Sequence, residues 1–143
     1  MAAIKRFEEI EAWQTGRQLA SVIYDLTDEG QFARDFGLKD QIRRAVISVI
    51  SNIAEGFESR TQALFIDYLG RAKGSLGEVR AQLYIALDRG YVAQAQFDQA
   101  YALAEKTGRQ IYRFIIYLES QPNLRRVRDE QVEYDTQTPI VGR

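Results

Sequence analysis

Leu38-Lys39-Asp40-Gln41-Ile42-Arg43-Arg44-Ala45-Val46-Ile47-Ser48-Val49-Ile50-Ser51-Asn52-Ile53-Ala54-Glu55-Gly56-Phe57 decides the fold of this chain. Its centre is rich in β-branched residues, which suits a strand. Its polar residues do not. Gln41, Arg44, Ser48, Ser51, Asn52 and Glu55 recur at steps of three and four. At about 100° per residue they share one narrow stripe of a helix, whereas a strand would scatter them over both faces. The apolar residues Ile42, Ala45, Val46, Ile47, Val49, Ile50, Ile53 and Ala54 spread over roughly 200° of the same wheel, about twice the stripe of an ordinary surface helix. Such a face needs cover on two sides. One side is the chain's own core. The other is a second subunit, or further helices if this is the central helix of a single bundle.

The rest of the chain supplies partners of the same kind. A first helix spans about 10–27, with Ile10, Trp13, Leu19, Ala20, Val22, Ile23, Tyr24, Leu26 and Thr27 on its apolar side and Glu8, Glu9 and Glu11 at its start, where acidic residues suit the helix dipole. Gly30 reads as its stop, and Gly30 to Gly37 as a connection in which Asp35 can cap the central helix, 38–57. Ser59-Arg60-Thr61-Gln62 fits a capping box, opening a third helix over about 60–89 with Phe65, Tyr68, Leu69, Ala72, Leu76, Val79, Leu83 and Leu87 as its stripe. Gly70, Gly74, Gly77 and Ala81 mark another face of that helix. Each mid-helix Gly costs about 1 kcal/mol relative to Ala, so a row of them suggests that another backbone approaches there. Gly90 is the stop. A fourth helix spans about 94–118, with Phe97, Tyr101, Ala104, Gly108, Ile111, Ile115 and Leu118 in a heptad pattern. Four amphipathic helices with short connections predict an all-α, antiparallel up-down-up-down four-helix bundle over 1–120. After Pro122 the pattern breaks, and 121–143 reads as a flexible C-terminal tail or docking arm.

Composition excludes much chemistry. The 143 residues contain no Cys and no His. Thiol nucleophiles, Ser–His relays, Cys/His zinc sites and imidazole switches are therefore ruled out. Hydrophobic residues make up 45% and charged residues 27%, as in an ordinary globular domain. No apolar run approaches the length of a signal peptide or a membrane span, and the expected location is cytoplasmic. The formal net charge is −1, so any nucleic-acid site must be a local basic patch.

Several segments resemble the bacterial four-helix bundle proteins named after intervening sequences of the 23S ribosomal RNA gene. They are Phe7-x-x-Ile10-x-x-Trp13-Gln14, Phe36-Gly37-Leu38-x-x-Gln41-Ile42-Arg43-Arg44-Ala45, Ser48-Val49-Ile50-Ser51-Asn52-Ile53-Ala54-Glu55-Gly56, Ala72-Lys73-Gly74-Ser75-Leu76-x-Glu78 and Gly90-Tyr91. The family is similar to the accessory proteins of diversity-generating retroelements. The resemblance implies a bundle assembled as a ring of five, and a role in nucleic-acid binding. This chain departs in having Ile50 where the family usually has Pro, and in being slightly acidic where the accessory proteins are basic.

Three readings follow. The first is a non-enzymatic homopentameric binding module or scaffold with nucleic acid, RNA in particular, as ligand. Its candidate contacts are Lys39, Arg43, Arg44, Arg71, Lys73 and Arg80, although Asp40, Asp67 and Glu78 interleave with them as on any solvated surface. The second places Gln41, Arg44, Ser48, Asn52, Glu55, Ser75 and Glu78 in one polar seam. Such a seam can fix helix register, contact a ligand, or use Glu55 and Glu78 as catalytic carboxylates; the structural role is the expectation. The third is a protein-interaction adaptor using the ring or the tail, with Arg125-Arg126-x-Arg128 as its basic element. No enzyme activity, cofactor, metal or membrane association is expected.

Overall fold

The computed structural model describes residues 3–122 and the backbone at 134–135. Four long helices carry the fold: α1 (Glu11–Thr27), α3 (Phe36–Glu58), α4 (Gln62–Asp88) and α5 (Gln94–Glu119). A short helix, α2 (Gly30–Arg34), precedes α3, and a 3-10 turn at Phe7–Glu9 precedes α1. Two residues at each end of the chain also meet. Strand β1 (Ala3–Ile4) pairs antiparallel with β2 (Tyr134–Asp135). The rest of the expected tail beyond Pro122 lies outside the described residues. Among the described residues no helix is long and apolar enough to cross a membrane.

The β-branched face of α3 is the centre of the core. Ile42, Val46, Val49 and Ile53 are fully buried, against Phe65, Leu69 and Leu83 of α4 and Leu19 and Ile23 of α1. The most extensive contact joins α3 to α4, and further contacts run from α4 to α5, from α5 to α1 and from α1 to α3. Their register is fixed by paired residues. Gln41 meets Gln82, Ser48 meets Ser75, and Gly56 meets Phe65. Residue numbers fall along α4 as they rise along α3, so the two run in opposite directions. The same holds for α4 and α5 (Tyr84 with Phe97, Gln62 with Leu118) and for α1 and α3 (Gly16 with Ile50, Thr27 with Arg43).

Several sequence expectations are corrected. The connection before α3 is partly helical, because Phe32 is fully buried and stacks near Tyr91, with ring centroids 5.4 Å apart. The central helix starts at Phe36 and not Leu38. Asp35 does cap it: its Oδ1 accepts from the Leu38 N–H at 3.1 Å. The capping box at Ser59 does not form. Thr61 is the N-cap, accepting from Leu64 N, while the Ser59 hydroxyl donates back to the Gly56 carbonyl. Gln62 is buried instead, donating to the Leu118 carbonyl at 2.6 Å. On α5 the buried series is Phe97, Ala100, Ala104, Thr107, Ile111, Phe114, Tyr117 and Leu118, so Ala100, Thr107 and Phe114 take the seam positions that the heptad gave to Tyr101, Gly108 and Ile115. Gly90 ends α4 as expected. It has φ +72°, with Tyr91 N–H bonded to Ala86 and its own N–H to Leu87, the double closure of a Schellman turn.

The glycine row behaves differently from the expectation. Among the described residues nothing comes within 4 Å of a Cβ built at Gly70 or Gly74, so none of their backbone approaches that face. The close approaches are at Gly16 and Gly56. A Cβ on Gly56 would lie 2.8 Å from Phe65 Cδ1 and 2.9 Å from Tyr68 Cβ; one on Gly16 would lie 2.9 Å from Ile50 Cγ2. Phe65 is fully buried and a Cβ atom cannot swing aside, so Gly56 is where α3 and α4 press together most closely. Helix propensity alone favours Ala at every mid-helix Gly by about 1 kcal/mol. Overpacking costs about 1–3 kcal/mol. Gly56→Ala is therefore expected to lose about 1–2 kcal/mol in urea unfolding, while Gly70→Ala gains up to about 1 kcal/mol. Equal gains at both positions would contradict the close approach.

Candidate functional site

The six basic residues singled out in the sequence fall into two groups. At the start of α3, Arg43 is turned inward. Its Nε donates to Thr27 Oγ1 at 2.8 Å, its Nη2 to the Tyr24 carbonyl and to Asp28 Oδ1, and its guanidinium lies 4.2 Å from the Tyr24 ring centre. It is a tie between α1 and α3. Arg44 points to solvent and bonds Asp40 Oδ2 at 2.8 Å one turn earlier. Lys39 is half-buried on the same turn. On α4, Arg71 pairs with Asp67 at 3.6 Å and lies over the Tyr68 ring. Three of the six cations are thus already compensated by carboxylates.

Lys73 and Arg80 are placed otherwise. They line a cleft of about 520 Å³ between α4 and α5, together with Arg109, Tyr112 and Arg113 from α5. Leu76, Ala104 and Gly108 form its apolar floor. Lys73 and Arg80 are seven residues apart, and so lie on nearly the same side of α4, two turns apart. Arg109 and Arg113 are one turn apart on α5. The antiparallel register of α4 and α5 then brings all four cations to one concavity. Glu105 is the one carboxylate on its lining, and none of the four cations forms an ion pair among the described residues. Lys73 instead holds its ammonium 5.0 Å from the centre of the Tyr112 ring. Arg109, Tyr112 and Arg113 were not singled out in the sequence. Their signal was present as an i, i+3, i+4 triplet facing away from the α5 seam, but only the helix pairing shows what stands opposite.

Physical chemistry gives the cluster meaning. Four like charges gathered around a concave apolar floor repel one another, and a concave, low-dielectric surround focuses their field outward. The arrangement is suited to an anion that touches several cations together, such as a run of phosphates.

One turn beyond Arg80 on α4, Tyr84 belongs to an aromatic cluster. The Tyr84 ring packs 4.9 Å from Phe97 and 5.5 Å from Tyr101. A side-chain hydrogen bond with Tyr101 and the electrostatic influence of its hydroxyl, then burial and the charge of Glu105, raise the Tyr84 hydroxyl above its ordinary value of 10.0.

The expected polar seam divides. Ser75 donates to Ser48 Oγ at 2.9 Å, and Asn52 Nδ2 donates to the carbonyl and hydroxyl of Ser48. Gln82 Nε2 donates to Gln41 Oε1 at 3.2 Å. These two links cross from α3 to α4 and lie on their shared surface. Arg44, Glu55 and Glu78 are exposed and stand outside them. The structure therefore does not bring Glu55 and Glu78 into a hydrogen-bonded carboxylate site with the serines.

Fold and site together define a class: a bundle of four long helices with a predominantly cationic cleft between two of them. The chain belongs to the 23S rRNA-intervening sequence protein family, which it matches over residues 8–113. Its fold is similar to that of a protein of unknown function from the S23 ribosomal protein family of Bacteroides thetaiotaomicron. The TM-score is 0.68 at 19% identity, over 73% of this chain and 94% of that one, a likeness of fold alone. No curated protein matches.

The inward and outward arginines are expected to separate on substitution. Arg43→Ala removes charge-assisted hydrogen bonds from a side chain only 21% exposed, and should lower stability by about 1–2 kcal/mol. Arg44→Ala removes an exposed i, i+4 pair and should stay within about 0.5 kcal/mol. Urea unfolding of the two variants measures the difference; equal, negligible effects would remove the structural role assigned to Arg43.

Proposed function

We propose that this protein is a non-enzymatic, cytoplasmic nucleic-acid-binding module that engages phosphates in the cleft between α4 and α5. The observation that carries the reading is the meeting of Lys73, Arg80, Arg109 and Arg113 there, four cations to the one carboxylate Glu105 and with no ion pair among the described residues, in a chain whose net charge is −1. A protein with no general basic excess that still concentrates cations at one concavity has a local polyanion site. The family's description ties it to 23S rRNA intervening sequences, which favours RNA over DNA.

Assembly as a homopentameric ring completes the proposal. It accounts for surface that the single chain leaves uncovered: Ile47 on α3 is 42% exposed and Ile85 on α4 is 49% exposed, beside the open row of Gly70, Gly74 and Ala81. Repetition of the cleft would make a modest patch multivalent. A second reading is a protein-interaction adaptor. Phe36, 76% exposed at the start of α3, favours it, because an apolar side chain that open suits a protein partner more than a phosphate backbone.

The test is binding of a structured RNA and a DNA duplex at about 50 and about 200 mM salt, with assembly mass recorded in the same buffers. Four phosphate contacts predict a loss of roughly 100-fold in affinity across that range. Arg109→Ala with Arg113→Ala should reduce the salt slope by about 2, and Arg44→Ala should leave it unchanged. Salt-independent binding, or a slope that the paired substitution does not move, would overturn the cleft as the site. A pentamer that ignores both nucleic acids would favour the adaptor.

A further inference from the structure

We infer that the cleft takes a single strand of nucleic acid, with its backbone on the cations and its bases stacked on Tyr112 and Tyr84. The inference rests on the phosphate-binding reading above and adds the form of the ligand to it.

Cations alone do not distinguish a duplex from a single strand, because both present phosphates. The aromatic rings do. Tyr112 and Tyr84 are 54% and 49% exposed, among the most open large apolar side chains of the described residues; Tyr112 is on the groove and Tyr84 stands one helical turn beyond Arg80. Tyr112 is part of its lining. One side of its ring is engaged by the Lys73 ammonium, which leaves the other for a flat partner. Tyr84 is one turn beyond Arg80 on α4 and is wedged against Phe97 and Tyr101, so its ring is held in place from behind. A ring fixed before binding loses little freedom on binding.

The order along the groove matters as much as the exposure. Tyr112 stands beside Lys73, and Tyr84 lies eleven residues further along α4, about 16 Å by the helix rise. Arg80 sits between them. Aromatic, cation, cation, aromatic is the alternation expected of a channel in which phosphates follow the charges and successive bases turn onto rings. A duplex keeps its base faces stacked and paired, so it would leave both tyrosines without a partner. The apolar floor of Leu76, Ala104 and Gly108 agrees with a ligand that brings sugars and base edges into the cleft, since bare phosphates would meet no polar group there.

The experiment compares one oligouridine single strand with an RNA duplex of the same length, using the full chain. The single strand should bind at least about 10-fold tighter. Tyr112→Ala should weaken the single strand about 10-fold and leave the duplex nearly unchanged, and Tyr112→Phe should restore binding, because stacking needs the ring and not the hydroxyl. Tyr84→Ala should act in the same direction. Circular dichroism of each variant confirms its helix content. Equal affinity for both forms, together with a silent Tyr112→Ala, would overturn the stacking inference. If Arg109→Ala with Arg113→Ala still weakens both ligands in that case, the phosphate site survives and only the ligand's form is wrong. If the paired arginine substitution is silent as well, both fail.

Discussion

The close seating of α3 on α4 is the constraint from which the remaining geometry follows. At Gly56 there is no room for a Cβ, since Phe65 and Tyr68 already occupy its position at 2.8 and 2.9 Å. The two helices are therefore drawn together at one end, while the Ser48–Ser75 and Gln41–Gln82 hydrogen bonds hold the register along their length. The β-branched run Val46, Val49 and Ile53 then fills the interior with side chains of few rotamers, which favours one packing over many. With α4 fixed in rotation against α3, the side of α4 bearing Lys73 and Arg80 can only face the flank of α5. The cleft is a consequence of the core.

Charge is distributed by a simple division of labour. Arg44 and Arg71 have acidic neighbours one turn away on their own helix, pairs that contribute little to stability but neutralise the surface. Arg43 joins two helices through Thr27, Tyr24 and Asp28. The four cations of the cleft form no ion pair among the described residues, although Glu105 lies one turn before Arg109 on the same lining. Holding them together costs some self-repulsion, and an external polyanion relieves it.

Local periodicity made the helices legible in the sequence. Ile42, Val46, Val49 and Ile53 fall on one side of a helix at any reasonable wheel angle, and Asp35 and Gly90 mark true helix ends. The failures share one physical cause, which is that tertiary contacts decided between locally equivalent choices. Ser59 and Thr61 are both competent caps; the demand of the Leu118 carbonyl for Gln62 selects Thr61. Gly56 and Gly70 are equally plausible points of close approach until the position of Phe65 is known. Phe32 looks like loop because its partner, Tyr91, is distant in the chain. The basic site was legible only by half. Lys73 and Arg80 stood out on α4, but Arg109, Tyr112 and Arg113 belong to the site only through the pairing of α4 with α5, and that pairing is not written in any single segment.

The most direct test of the central claim is to locate a bound nucleic acid on the protein. Backbone and arginine side-chain resonances would be followed by heteronuclear NMR while a short RNA is titrated in. The account predicts that shifts concentrate at Lys73, Arg80, Arg109, Tyr112 and Arg113, with Lys39 and Arg44 little affected. Shifts centred on the start of α3, or spread evenly over the charged surface, would contradict it.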